Sequence, residues 1–188
     1  MHTRVLDYGR HPELSPFLLL DHAGPADFRA DAQKPRGVGW HPHRGFETVT
    51  VVLDGEVDHR GHRRQRRPHR PRRRAVDDRG ARACCTRNAQ RRSSRRRGGQ
   101  FHALQLWVNL PAKSKMTAPH YQTLLARDIP SLNLTGGVSV RVIAGEFRGV
   151  KGPASTFTPV RPARACIPAG RDADLGAARP ASPPGCTW

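Results

Sequence analysis

The sequence predicts an all-β domain, a barrel or sandwich of short strands, from three observations. Between Gly39 and Gly55 the period two of an extended chain puts His41, His43, Glu47, Val49, Val51 and Leu53 on one face and Thr48 and Thr50 on the other, and between His102 and Leu110 apolar and polar residues alternate with the same period. Brief runs of strand-forming residues, such as Phe17-Leu-Leu-Leu and Val138-Ser-Val-Arg-Val-Ile, recur along the chain. Turn signals separate them: Pro12 and Pro16, Asp54-Gly55, Pro111 to Pro119 and Gly136-Gly137.

Taken in order, Arg4-Val-Leu-Asp-Tyr is a short extended segment, followed by a turn bounded by Pro12 and Pro16. Phe17 to Leu20 reads as a buried strand and Asp21-His-Ala-Gly-Pro as a loop, with His22 bonding its own backbone or facing a metal. Asp31 to Gly39 is a second loop, whose Gly37 and Gly39 permit a tight approach to the next strand.

That strand, Gly39 to Gly55, is the chemically informative one. Read as a continuous extended segment, it points His41, His43, Glu47, Val49, Val51 and Leu53 to one face, and Thr48 and Thr50 to the other. A wall polar at one end and apolar at the other is what a small barrel needs for a ligand mouth above a packed interior. Imidazoles two residues apart on one face converge on a single ion, and a carboxylate further along suits iron or manganese. A lone His-Pro-His also suits a solvated loop, so spacing alone leaves both readings open.

Asp54-Gly55 predicts a type I′ hairpin that returns the chain antiparallel through Glu56-Val-Asp-His. Further on, His102, Leu104, Leu106, Val108 and Leu110 share an apolar face, with Gln105, Trp107 and Asn109 opposite. Tyr121 to Leu125, Leu132 to Leu134, and Val138 to Val142 complete the strand set.

A chain of 188 residues suits one domain with a core. It contains no apolar run approaching the ~20 residues of a membrane span. The opening Met-His-Thr-Arg-Val-Leu-Asp has no signal-peptide pattern, which predicts a cytoplasmic protein. Cys84, Cys85, Cys166 and Cys186 form no Cys-x-x-Cys pair and read as reduced and incidental.

Of the net charge of +18, one run carries +15 and the rest of the chain +3. Between Arg60 and Arg97 stand seventeen Arg against Asp77 and Asp78 alone, with Val76 the single strand-former from Gly61 to Arg95. Such a composition cannot offset the entropy of ordering, so it predicts disorder. Two accounts compete. As a functional arm, Arg63, Arg64, Arg66, Arg67, Arg72, Arg73 and Arg74 would neutralise nucleic-acid phosphates, though no aromatic is interleaved to stack on bases. As an out-of-register translation, the same Arg, Ala, Gly and Pro are what GC-rich codons give, and this account is favoured because so long a structureless loop does not suit a compact domain. Arg161 to Trp188 is another Ala/Pro/Arg-rich stretch and reads as a disordered tail.

Four blocks in order, Pro16-Phe-Leu-Leu-Leu-Asp-His, His41-Pro-His-Arg-Gly-Phe-Glu-Thr-Val-Thr, Gln105-Leu-Trp-Val-Asn-Leu-Pro-Ala-Lys and Val142-Ile-Ala-Gly-Glu, resemble the pirin family. The resemblance implies a cupin, a double-stranded β-helix barrel, here incomplete. Residues 1–60 form its first part, 61–96 an Arg-rich low-complexity insertion, 97–160 the remainder and 161–188 the tail; relatives would continue into a second cupin domain. It further implies a non-haem iron protein, with His41 and His43 as metal ligands. Some bacterial members are quercetin 2,3-dioxygenases acting on a flavonol and dioxygen, with a nearby carboxylate taking the flavonol proton; others are described as metal-dependent transcriptional cofactors. The family's second ligand motif, His-x-Glu, cannot occur between Glu56 and Glu146, where no Glu stands. Glu47 and His102 are candidate additional ligands, His59, His62 and His69 more remote ones, and the expected consequence is weak metal affinity and impaired activity.

Overall fold

The computed structural model describes residues 2–30, 37–61, 66–69, 73–79, 84–90, 97–158 and 163–166, with side chains for 2–30, 37–59 and 97–158. The described residues are nearly all in strands and turns, as the all-β reading expects, with only isolated 3₁₀ turns such as Pro12–Leu14 and Ala112–Ser114. Among them no helix is long and apolar enough to cross a membrane.

Two large antiparallel sheets dominate. The six-stranded sheet begins with β1 (His2–Asp7) and β2 (Phe17–Phe28), as Arg4-Val-Leu and the Phe17 run predict. β2 does not stop at Leu20. It runs on to Phe28 beside β9 (Gly99–Asn109), and a register shift between Ala23 and Ala26 absorbs Gly24-Pro25. A bulge can hold a proline inside a sheet because it removes that residue from the hydrogen-bond ladder. His22 is therefore a strand residue, not a loop residue.

β4 (Phe46–Asp54) pairs with β9 on its other side, from Phe46 opposite Asn109 to Asp54 opposite His102. β7 (Arg73–Arg79) then joins β4 to β10 (His120–Leu125), giving the order β1-β2-β9-β4-β7-β10. The second sheet has the order β3-β8-β5-β6, with β3 spanning Gly37–His43, β5 Val57–Gly61, β6 Arg66–His69 and β8 Cys84–Gln90.

Two expectations change here. The stretch from Gly39 to Gly55 is two strands in two sheets, because Arg44-Gly45 breaks it and Gly45 takes a φ of +76°. The type I′ hairpin expected at Asp54-Gly55 does not form: Gly55 takes a φ of +84° but Asp54 has no positive φ, and β4 and β5 do not pair with each other. A turn dipeptide sets local backbone direction, and here that direction carries the chain across to the facing sheet instead of back along the same one. Within 61–96 the described backbone runs as β6, β7 and β8, and the remaining residues of that run lie outside those described. Strand pairing satisfies main-chain N–H and C=O groups whatever the side chains, so composition does not forbid it.

The C-terminal segment packs against the outer face of the six-stranded sheet. β11 (Ser131–Asn133) and β12 (Ser139–Val142) pair, and β15 (Ala163–Cys166) adds to β12; β13 (Glu146–Phe147) and β14 (Val150–Lys151) form a small hairpin. Val138, Val140 and Val142 are buried on one face, as their alternation predicts. Ile129 and Ile143 meet Val49, Val51 and Leu124 in one apolar cluster, with Leu53, Leu104 and Leu106 packed around it.

At Gly55 a β-carbon would stand 2.9 Å from the Gln100 carbonyl oxygen, on a backbone already in the left-handed region. Gly55→Ala is expected to lower unfolding free energy by about 1–3 kcal/mol, read from the urea midpoint at unchanged slope.

Candidate metal and ligand site

The corner between β3 and β4 builds the site. The Gly45 carbonyl accepts hydrogen bonds from the Leu110 amide (3.3 Å) and from Lys115 Nζ (3.1 Å), and the same ammonium donates to Asn109 Oδ1 (2.6 Å). Gly45 is required because a left-handed φ costs other L-residues roughly 1 kcal/mol or more. This clamp fixes where β3 ends, and hence where His43 sits.

His41 and His43 face each other with ring centroids 4.7 Å apart, as period two predicts within a strand. His43 is almost fully buried at 2% exposure, lying 5.1 Å from the Phe46 ring and 5.7 Å from Trp107. Phe46 and Trp107 stack at 4.5 Å and 22°. His41 Nδ1 donates to the Gly39 carbonyl at 2.7 Å, which sets the tautomer and places the lone pair on Nε2. A metal-binding imidazole is oriented by a second-nitrogen bond of this kind. The donor chemistry therefore fits a divalent transition metal, but as a partial set: among the described residues no three His, Cys, Asp or Glu side chains gather around one point.

Both histidines line a cavity of about 620 Å³ between the two sheets. Its walls are largely apolar, with Phe28, Phe101, Ala103 and Trp107 from the six-stranded sheet and Val57 from the facing one. Thr50 and Gln105 are polar exceptions, joined by a hydrogen bond from Thr50 Oγ1 to Gln105 Oε1 at 3.0 Å. At one edge Asp21 takes Arg4 Nε on one oxygen (2.7 Å) and His2 Nε2 on the other (2.8 Å). The hydrogen bond to Asp21 is the main cause holding the Arg4 guanidinium above its ordinary pKa.

The other candidate residues lie elsewhere. Glu47 is buried on β4 in step with Val49 and Val51, the face turned away from Thr50, and does not line the cavity. His102 occupies the face of β9 opposite Gln105, with Nε2 2.8 Å from His22 Nε2. His59 stacks on Tyr121 at 5.2 Å. The side chains of His62 and His69 lie outside the described residues, as do those of Arg63, Arg64, Arg66, Arg67, Arg72, Arg73 and Arg74; Arg66, Arg67, Arg73 and Arg74 are described only as backbone of β6 and β7. Sequence reasoning missed Thr50, Gln105 and Phe101 as site residues. The signal available was that Gln105 and Trp107 share a face of β9, but that face reads as the polar outside of a half-buried strand.

Facing sheets around a cavity that carries a histidine pair at its wall define a cupin. The pirin family profile matches residues 2–108, more than half of the chain. The Pseudomonas aeruginosa protein named "Putative quercetin 2,3-dioxygenase PA2418" is 47% identical over 156 residues, covering 81% of this chain and 52% of that protein. Pirin of Mus musculus is 39% identical over 153 residues, covering 78% and 46%. The crystal structure of quercetin 2,3-dioxygenase from Acinetobacter baumannii superposes with a TM-score of 0.81 at 40% identity, covering 86% of this chain and 56% of that one. The chain belongs to the pirin family, and it spans about half the length of the curated relatives it matches.

Lys115→Met removes the cation that ties Gly45 to Asn109. The expected loss is about 1–2 kcal/mol of stability, seen in urea unfolding together with a shift of the His43 ring resonances, which report the displaced corner.

Proposed function

We propose that this chain is a pirin-type cupin with half of a metal centre, in which His41 and His43 hold iron weakly beside a cavity that admits a flavonol, and that its quercetin 2,3-dioxygenase turnover is correspondingly low. The observation that carries the reading is the facing pair of imidazoles at the wall of an apolar cavity of about 620 Å³, a volume suited to a small aromatic molecule. Bound iron would supply an open coordination position for a small ligand or dioxygen.

The protein's own contributions follow from its side chains. His41 offers Nε2, since its Nδ1–H is committed to Gly39. His43 is shielded from water by Phe46 and Trp107, which keeps its environment of low dielectric. The cavity carboxylate, Asp21, has both oxygens engaged by Arg4 and His2, which leaves it poorly placed to accept a flavonol proton. An ion held by two imidazoles and water is bound far more weakly than one enclosed by a full protein ligand set.

Purified protein is expected to carry iron well below one equivalent, and to leave quercetin absorbance nearly unchanged under air. His41→Ala and His43→Ala should each remove the residual iron. Stoichiometric iron with steady quercetin consumption would overturn the half-centre; iron content unchanged in both variants would remove these histidines from it.

A further inference from the structure

We infer that Gln105 reads a carbonyl group on a planar aromatic ligand, and that this selection operates without any metal. The inference rests on the cavity being a ligand site and specifies what that site recognises. Four alternate residues of β9, Phe101, Ala103, Gln105 and Trp107, point into the cavity, and three of them are apolar. Gln105 is thus a lone amide in an apolar strip, next on its own face to the Trp107 ring.

Its orientation is set from across the sheet. Thr50 is the register partner of Gln105, and its hydroxyl donates to Oε1 at 3.0 Å. That bond takes one lone pair of Oε1 and fixes the plane of the amide, and among the described residues Nε2 has no hydrogen-bond partner, so the amide has its N–H donors to offer. A donor in an apolar wall favours a ligand that brings an acceptor, and penalises one of the same shape that leaves the N–H unmet.

The rest of the cavity narrows the class. Trp107, stacked on Phe46, offers a flat aromatic surface one strand repeat from Gln105, about 7 Å along the chain. A fused-ring ligand lying on that surface brings a ring carbonyl within reach of the amide. A ring ketone is an acceptor that such a donor in an apolar wall fits.

The test uses the full chain stripped of metal with a chelator, and equilibrium dialysis against flavone and against flavan, the same ring skeleton without the carbonyl. Flavone is expected to bind about 5- to 10-fold more tightly. Gln105→Leu should abolish that preference. Thr50→Val, which frees the amide to turn, should reduce it, and Thr50→Ser should retain it; this pair tests the idea even if Gln105→Leu does not fold. Equal binding of flavone and flavan to the wild type, no binding of either, or a preference that survives in both Gln105→Leu and Thr50→Val would overturn it. The iron measurement is independent: the metal reading can fail while flavone is still preferred, and the carbonyl reading can fail while iron is still held at His41 and His43.

Discussion

The pairing of β4 with β9 is the constraint from which the rest follows. These two strands are neighbours over the whole of β4, and they sit inside their sheet, so every residue on them must face one packed layer or another. Val49, Val51 and Leu53, with Leu104 and Leu106, turn toward Ile129 and Ile143. Thr50, Gln105, Ala103 and Trp107 turn the other way, into the space between the sheets. A one-residue slip would exchange the two sets and put Gln105 in the aliphatic layer. Register is therefore set by the cost of burying an amide among aliphatic side chains, and the composition of the cavity is a by-product of the same cost.

The corner at Gly45 converts that register into a site. β3 and β4 are adjacent in sequence but belong to different sheets, so the chain has to leave one layer within two residues. It does so through a left-handed glycine whose carbonyl is taken by Leu110 and Lys115, both reached from the far end of β9. The same strand that supplies Gln105 and Trp107 thus anchors the point at which His43 ends β3. Ligand wall and imidazole pair share one mechanical support, and the stacking of His43 against Phe46 and Trp107 joins them directly.

How much of this the sequence disclosed depends on the kind of question. Period-two alternation correctly grouped Val138 with Val140 and Val142, set His102 apart from Gln105, and paired His41 with His43. It could not say which face of β9 held the cavity, because a partly apolar pocket wall and a solvated face share the same mixed composition; Gln105 and Trp107 were read as the outside for that reason. Nor could it detect that Arg44-Gly45 ends a strand, since the even spacing that puts His41, His43, Glu47 and Val49 on one face carries across the break. Asp54-Gly55 announced a turn without announcing its destination. His22 was hidden behind Gly24-Pro25, which looks like a loop until a bulge accommodates it.

The arginine-rich stretch separates two things that composition tends to merge. Side-chain chemistry governs what a strand can bury or bind, whereas its main chain can pair in most compositions, and even Pro68 of β6 stands opposite Asp58. β7 lies between β4 and β10, and β8 between β3 and β5, in positions that complete both sheets. The described cavity lining comes from elsewhere: from residues 2 to 57 and from 101 to 107. The loss of a His-x-Glu motif between Glu56 and Glu146 therefore bears on the metal, while the aromatic wall, the Thr50–Gln105 pair and the Gly45 clamp are built from residues outside the arginine-rich run.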